Sequence, residues 1–470
     1  MKKYLVYHLM LIFIVTACAE KKSSVVNSFE ELKEAINNAE PGALIVLNDG
    51  KYGGSDFVIS KNGTREQPII IKAKNIGKVF LESVFKIDGN YINLQGVNFI
   101  EDGKLEVFGK GCRISNCTWD DAKSGIWLHV LPGSSEIEID HNTFQNKVFS
   151  NQNMERSCQL LRIVVRNKNE RHHIHHNLFK NVARGKTGNG FETIQLITEN
   201  NPFDPPPGSG NSIIEDNLFI RCNGEAEIIS VKSNGNLLKR NTFRACKGGL
   251  VLRHGDDNVV TQNYFFGDGE RGSYGVRIQG TGQVVANNYF QDLGSYGLGM
   301  MDGTPDDLYI RVERGQILFN TFINCNNTFN IGLNHSKHPN GTVPKDCKIV
   351  GNIFFAEKGD ESEKFITFIQ NDEPENWEWR DNIGFGKKVP SINGFQMDNP
   401  EFESYDYGLM APSNETKLSH ISGHFNEEIK IDLFGNNWKE KRTVGAIQFP
   451  IETVKSPPLT ENNVGGHFIR

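Results

Sequence analysis

Helical periodicity over any long stretch is missing from this chain of 470 residues, and so is the LxxLxL pattern of leucine-rich repeats. Helix-built and leucine-rich architectures are set aside on that ground. A surplus of positive charge is missing too, since 51 lysines and arginines stand against 57 acids for a net −6. The global field therefore cannot hold a polyanion, which would need a local basic groove or a bound cation, and nucleic acid is not an expected partner. Long apolar runs are absent apart from one near the N-terminus, too short to span a bilayer.

What is present begins with MKKYLVYHLMLIFIVTACAEKK, in which two lysines, an apolar run and the small residues before Cys18 have the form of a secretory signal. Residues 1–17 are read as that signal. Cys18, directly after the small residues, resembles the lipidated cysteine of a bacterial lipobox, which implies a tether over 18–26 and contact with the membrane through the lipid alone. Ala19 and Glu20 lack the aspartate linked with inner-membrane retention, so the expected location is the outer membrane of the cell envelope, and a monomer is expected. Removing Lys2 and Lys3 with the signal takes the formal charge from −6 to −8. Of eight cysteines seven then remain, an odd number that argues against a complete disulfide framework.

The body of the chain repeats. Asn-x-Phe or a near variant recurs at Asn142, Asn177, Asn217, Asn241, Asn263, Asn288, Asn320 and Asn352, with looser copies at Asn116 and Asn382. Successive spacings are 26, 35, 40, 24, 22, 25, 32, 32 and 30 residues, a basic coil carrying insertions. Each unit holds short β-rich runs between Gly and Asn, which predicts an all-β, right-handed parallel β-helix. The asparagines are expected to take the left-handed conformation at turns and to bond from coil to coil, and the phenylalanines to stack inside. Cys222, Cys246 and Cys325 each lie five residues after their motif Asn, which predicts a column of buried thiols. Ser28 and Glu31 form a capping box for a short helix that would close the open end. One domain is expected from 27 to 470, with a loop insertion at 203–210, the repeat fading after about 395 and TVGAIQF finishing the last strands.

Polar residues share a phase in this repeat. Asn189 lies 12 residues after Asn177, Glu225 and Glu227 lie 8 and 10 after Asn217, Arg253 lies 12 after Asn241, and Arg277 lies 14 after Asn263. Stacking would bring them onto one face of successive coils, about 4.8 Å apart. Asn189, Glu225 and Glu227 offer oxygens suited to a hard cation such as Ca²⁺. Lys232 is five residues past Glu227, an odd separation, and shares that face only if a bend or bulge intervenes, as the SVKSNG stretch allows. RHHIHH at 171–176 looks metal-binding, but its histidines sit beside a turn and outside this phase, so a solvated or core-edge role is expected.

NGFETIQL (189–196), GEAEIISVKSNGN (224–236), LVLRHGDDNVVTQNYFFG (250–267) and GVRIQG (275–280) resemble the polysaccharide lyase family of calcium-dependent alginate lyases and chondroitinase B. The resemblance implies Ca²⁺ ligation by Asn189, Glu225 and Glu227, with Lys232 as general base and Arg253 as catalytic acid or charge stabiliser. It implies substrate contacts at His254 and Arg277; Gln195, where the family often has arginine, and Glu192 are expected beside the substrate. The implied reaction is β-elimination on an anionic uronate polymer, alginate first and dermatan sulfate as the alternative. A non-catalytic glycan-binding lipoprotein would have no need of Lys232 and Arg253, and a β-helix glycoside hydrolase would need further paired acids.

Overall fold

A computed structural model describes residues 23–466 except 150–156, 200–204, 306–307, 333–340, 360–362, 370–372, 389–390, 414–417, 419 and 422–428. The expected signal, Cys18 and part of the 203–210 loop lie outside the described residues. Three long sheets wrap the chain into a parallel β-helix, as the repeat predicts. The first has 14 strands from Ser23–Val26 to Glu378–Arg380, and the second has 14 from Gly50–Tyr52 to Phe395–Met397. The third has 12, from Phe57–Ile59 to Ile366–Phe368. Each coil adds one strand to each sheet, in register with its predecessor. Residues 23–26, expected in the tether, already pair with Leu44–Leu47.

The Asn-x-Phe motif turns the chain from the first sheet to the second. Nine fully buried asparagines, Asn142 to Asn382, each lend Oδ1 to the coil before. From Asn142 to Asn352 each Nδ2 also donates to the next Asn Oδ1 at 2.9–3.0 Å. The left-handed residue is the one before the ladder Asn, not the Asn itself: His141, His176, Asp216, Arg240, Gln262, Asn287 and Phe319 have φ of 52–57°. Asn116 is likewise left-handed, so the ladder position of that coil is Cys117, whose N–H donates to Asn142 Oδ1. The aromatic rings two residues on stack from Phe99 through Trp119 to Phe354 at 4.4–5.1 Å, a spacing set by that of the strands.

All seven described cysteines are buried, and Cys112, Cys117, Cys222, Cys246, Cys325 and Cys347 are free thiols. Cys222 and Cys246 touch, with the Cys222 N–H 3.4 Å from Cys246 Sγ, and burial pushes the thiols of Cys117 and Cys325 up to about 12. The helix Phe29–Asn37 is capped by Ser28, whose Oγ accepts from the Glu31 N–H at 3.2 Å, and buries Leu32 and Ile36 over the first coils. No described helix is long and apolar enough to cross a membrane.

TVGAIQF does not extend the coils. The stacking ends at Phe395–Met397, and the chain then turns back outside the helix: Val444, Ala446 and Ile447 pack against Ile323 and Ile353, and the Ala446 N–H donates to Thr321 Oγ1. By Gly466 this segment has returned to the coil of Thr143.

Candidate active site

The site stands on the third sheet. In the strand Leu161–Val165 and its successors, one outward row runs His129, Arg162, Gln195, Ser230, Val251, Arg277 across neighbouring strands. The strand Glu227–Lys232 interrupts this regularity. Against Gly249–His254, Glu227 and Ile229 face consecutive residues Gly249 and Leu250, so Ile228 is extra; Val231 and Lys232 face Leu252 and His254, so Arg253 is extra. Two bulges in adjacent strands thus turn Glu227, Lys232 and Arg253 to one side despite the odd spacing. The irregularity lies before Lys232 and opposite it, not in the SNG that follows.

Glu192, Glu225 and Glu227 converge there, each able to place one oxygen within 4.8 Å of the others. All three are buried. Glu192, expected beside substrate, is fully enclosed: Gln159 Nε2 donates to its Oε2 at 2.8 Å, Gln195 Nε2 to its Oε1 at 2.6 Å, and Lys232 Nζ lies 3.8 Å from Oε1. Gln195, also expected beside substrate, therefore spends its amide on Glu192 while still lining the cleft. Glu225 Oε2 accepts from the Phe191 N–H at 3.0 Å. Burial, then the charge of Glu192, pushes the Glu225 carboxyl up to about 8. Glu227 is the opposite case: burial alone would raise it, but Arg277, Arg253 and Lys232, with the Ser230 hydroxyl, outweigh that and hold it at about 2. Its Oε1 takes Arg253 Nη1 at 2.8 Å and Arg277 Nη2 at 2.5 Å, and its Oε2 takes Ser230 Oγ at 2.6 Å.

An open cleft of about 450 Å³ adjoins the acids, lined by Ser157, Gln159, Arg162, Asn189, Gln195 and Lys232 among others. Asn189 is exposed at its rim. His254 pairs with Lys232 in register and is buried; desolvation, then Arg253 and Lys232, lower it to about 4, so it is neutral at physiological pH. On the far side Tyr309 lies under Arg253, its ring 5.5 Å from the guanidinium carbon, and Tyr274 stacks on Tyr296 at 4.6 Å with its hydroxyl donating to the Ala226 carbonyl. Gln159 and Ser230, which clamp two of the three carboxylates, were not singled out in the sequence. For Ser230 the signal was there, three residues past Glu227 and two before Lys232; Gln159 carried none.

The three carboxylates can hold a metal. Two oxygens bound to one calcium at about 2.4 Å each are at most about 4.8 Å apart, which is the spread of this group. The oxygen-only donor set and a carboxyl pushed to about 8 by burial and then by the charge of Glu192 both fit a hard cation. The RHHIHH histidines lie elsewhere, on the first sheet. His175 Nε2 is 3.2 Å from Glu138 Oε1 and His173 Nε2 is 2.7 Å from Glu215 Oε1, while Arg113 engages both oxygens of Asp140. That group can also bring Glu138, Asp140 and His175 within 4.8 Å, with a histidine in place of a third carboxylate.

A parallel β-helix with buried acids, a lysine and two arginines on one sheet defines a class, and the comparisons give the family. The chain belongs to the chondroitinase B family, whose model matches residues 26–417. Among solved structures it is similar to the PL6 family alginate lyase AlyGC, at 23% identity and TM-score 0.76 over 95% of this chain and 59% of that one. It is also similar to a mannuronic acid specific family 6 lyase from human gut microbiota, at 27% identity and TM-score 0.68 over 80% and 90% of the two chains. A third likeness is to the PL6 family polysaccharide lyase Pedsa3628 from Pseudopedobacter saltans, at 24% identity and TM-score 0.67 over 94% and 98%. The chain thus spans about 59% of the length of AlyGC. No curated protein matches it.

Proposed function

We propose that the protein is a polysaccharide lyase that cleaves alginate by β-elimination, leaving unsaturated 4-deoxy uronate at the new non-reducing end. The observation that carries this reading is the pair of bulges at Ile228 and Arg253, which sets Lys232, Arg253 and the buried acids together beside a cleft. Membership in the chondroitinase B family and the likeness to a mannuronic acid specific lyase support it.

The chemistry asks for a base at C5 of a uronate and for charge control at its carboxylate and at the departing C4 oxygen. Lys232 is the base: its amine takes the C5 proton at the mouth of the cleft. As the C4–O bond breaks and the C4–C5 double bond forms, Arg253 stabilises the charge on the departing oxygen, which takes its proton from water; Arg253 is held in place by Glu227 and by the ring of Tyr309. Arg277 stands one coil further on, tied to the same carboxylate. Calcium held by Glu192, Glu225 and Glu227, with Asn189 at the rim, would supply positive charge against the substrate carboxylate. Gln159 and Gln195 keep Glu192 oriented, and Ser230 does so for Glu227.

Ultraviolet absorbance of the new conjugated double bond tests the reading directly, with mannuronate-rich and guluronate-rich alginate and dermatan sulfate offered separately. Alginate is expected to give the rise; a rise with dermatan sulfate alone would transfer the activity to that polymer, and none with any uronan would remove it. Lys232→Ala should lower kcat by roughly 10²- to 10⁴-fold, the usual worth of a positioned base. Unchanged rates in that variant would displace Lys232.

A further inference from the structure

Alongside the polar row on the third sheet runs a second outward row. Phe108 and Leu131 directly follow Val107 and Val130, which pair with one another, and Leu131 N–H donates to the Val107 carbonyl. Val130 pairs with Ile163, Val164 with Ile197, and Ile197 with Lys232. The row is therefore Phe108, Leu131, Val164, Ile197, Lys232: an apolar strip four rungs long that ends on the lysine. Val164 and Ile197 are buried along it, whereas Phe108 at its far end is 44% exposed. The parallel row reads Glu106, His129, Arg162, Gln195, Ser230.

Three features separate Phe108 from a stray surface aromatic. Lys86 Nζ lies 6.0 Å from its ring centre, on the side away from Lys232. Gly133 passes between the ring and Arg166, so close that a Cβ there would sit 3.3 Å from Phe108 and 3.4 Å from Arg166 Nη1, and its φ of +98° is one that glycine alone tolerates well. Bare backbone at that point keeps the surface beside the ring low. Arg162, midway along the polar row and lining the cleft, has no ion-pair partner among the described residues, while Lys104 and Arg166 are paired to Glu106 and Glu199.

We propose that this strip is a track for the anionic polysaccharide, with Phe108 as a stacking platform for a sugar ring about 19 Å from Lys232, four rungs at about 4.8 Å each. The inference rests on the lyase reading for its occupant. The continuity of the strip with the cleft, which Ile197 and Lys232 line, argues for the same polymer chain, since a pyranose has one apolar face for the Phe108 ring and carboxylates at its edge for Arg162. A hexopyranose is about as long as one rung, so only a chain several residues beyond the scissile bond reaches Phe108.

Phe108→Ala and Phe108→Tyr in the full chain decide the matter, read by retardation in native gels cast with alginate and by cleavage of polymer and trisaccharide. Phe108→Ala should bind polymer roughly fivefold more weakly, a factor that corresponds to about 1 kcal/mol. Its KM for polymer should rise equally, with kcat and trisaccharide turnover unchanged, and Phe108→Tyr should behave as the unaltered protein. Equal retardation and equal KM in Phe108→Ala would overturn the proposal, as would an equal loss on trisaccharide, or sedimentation showing that Phe108→Ala dissociates a dimer. If the unaltered protein releases no unsaturated product yet is retarded through Phe108, the lyase reading fails and the platform stands.

Discussion

Glu225 shows how much one residue can say about a site. Its carboxyl rises from an ordinary 4.5 to about 8 because it is buried against Glu192 and Glu227. Across that window the folded, metal-free protein holds a proton that the unfolded chain has released, so stability falls as pH rises from about 4.5 to about 8. The melting temperature of chelated protein should therefore drop over that range relative to that of Glu225→Gln, which shares the opposite slope that buried His129, His172 and His254, lowered to about 4, set at the acid end. Added calcium should restore it at the upper end, because binding the ionised form removes the repulsion, and Glu225→Gln should flatten the slope. A melting temperature indifferent to pH and to calcium would mean that the three acids are compensated by Lys232 and the arginines alone. Glu225, Glu227 and Lys232 were visible in the sequence because charged residues in β-rich runs need an explanation. What hid Glu192 in the acid group was its place in a motif read as substrate-facing, and what hid the geometry was Ile228: an extra residue in a strand leaves no mark when its neighbours are equally aliphatic.

At the scale of the element, the asparagine ladder is the feature the sequence displayed most openly, since each copy is tied to a phenylalanine two residues on. Its mechanism was less legible. A left-handed residue precedes each Asn, and side chains as unlike as His141, Arg240 and Phe319 occupy that position, so composition did not betray it. The ladder makes such strain tolerable because each Asn satisfies backbone groups that the turn would leave bare. Asn241 accepts from Asn217 N–H and Nδ2 and donates to the Ile214 carbonyl and to Asn263 Oδ1. Asn241→Ala would strand buried partners on both sides, at a cost of about 2–4 kcal/mol. Asn382, at the end of the ladder with no described asparagine beyond it, should cost less when replaced. Denaturant melts of the two variants compare them, and equal losses would show that the ladder acts as one unit and not rung by rung.

For the whole molecule the telling feature is the return of the chain along its own flank, unannounced in a sequence whose repeat simply fades. Asp432, whose carbonyl accepts from Gln262, and Ala446, whose N–H donates to Thr321, lead to Ser456, whose carbonyl accepts from the Tyr264 hydroxyl. The segment continues by Leu459 at Thr242, Glu461 on Lys180 and Val464 against Leu178 and Leu218, to Gly465 at the His176 carbonyl. Every one of those coil residues belongs to the first or second sheet or to the turn between them; none belongs to the third sheet, where the site stands. Among the described residues the strap thus ties several coils together away from the sheet that carries the candidate site. Cutting it after Lys455 should uncover Leu178 and Leu218 and lower the melting temperature by several degrees, while leaving kcat and KM at low temperature unchanged. The opposite pattern, full thermal stability with impaired turnover, would mean that the flank and the site are coupled through the coils, and that the solenoid transmits strain across its section instead of confining it to one wall.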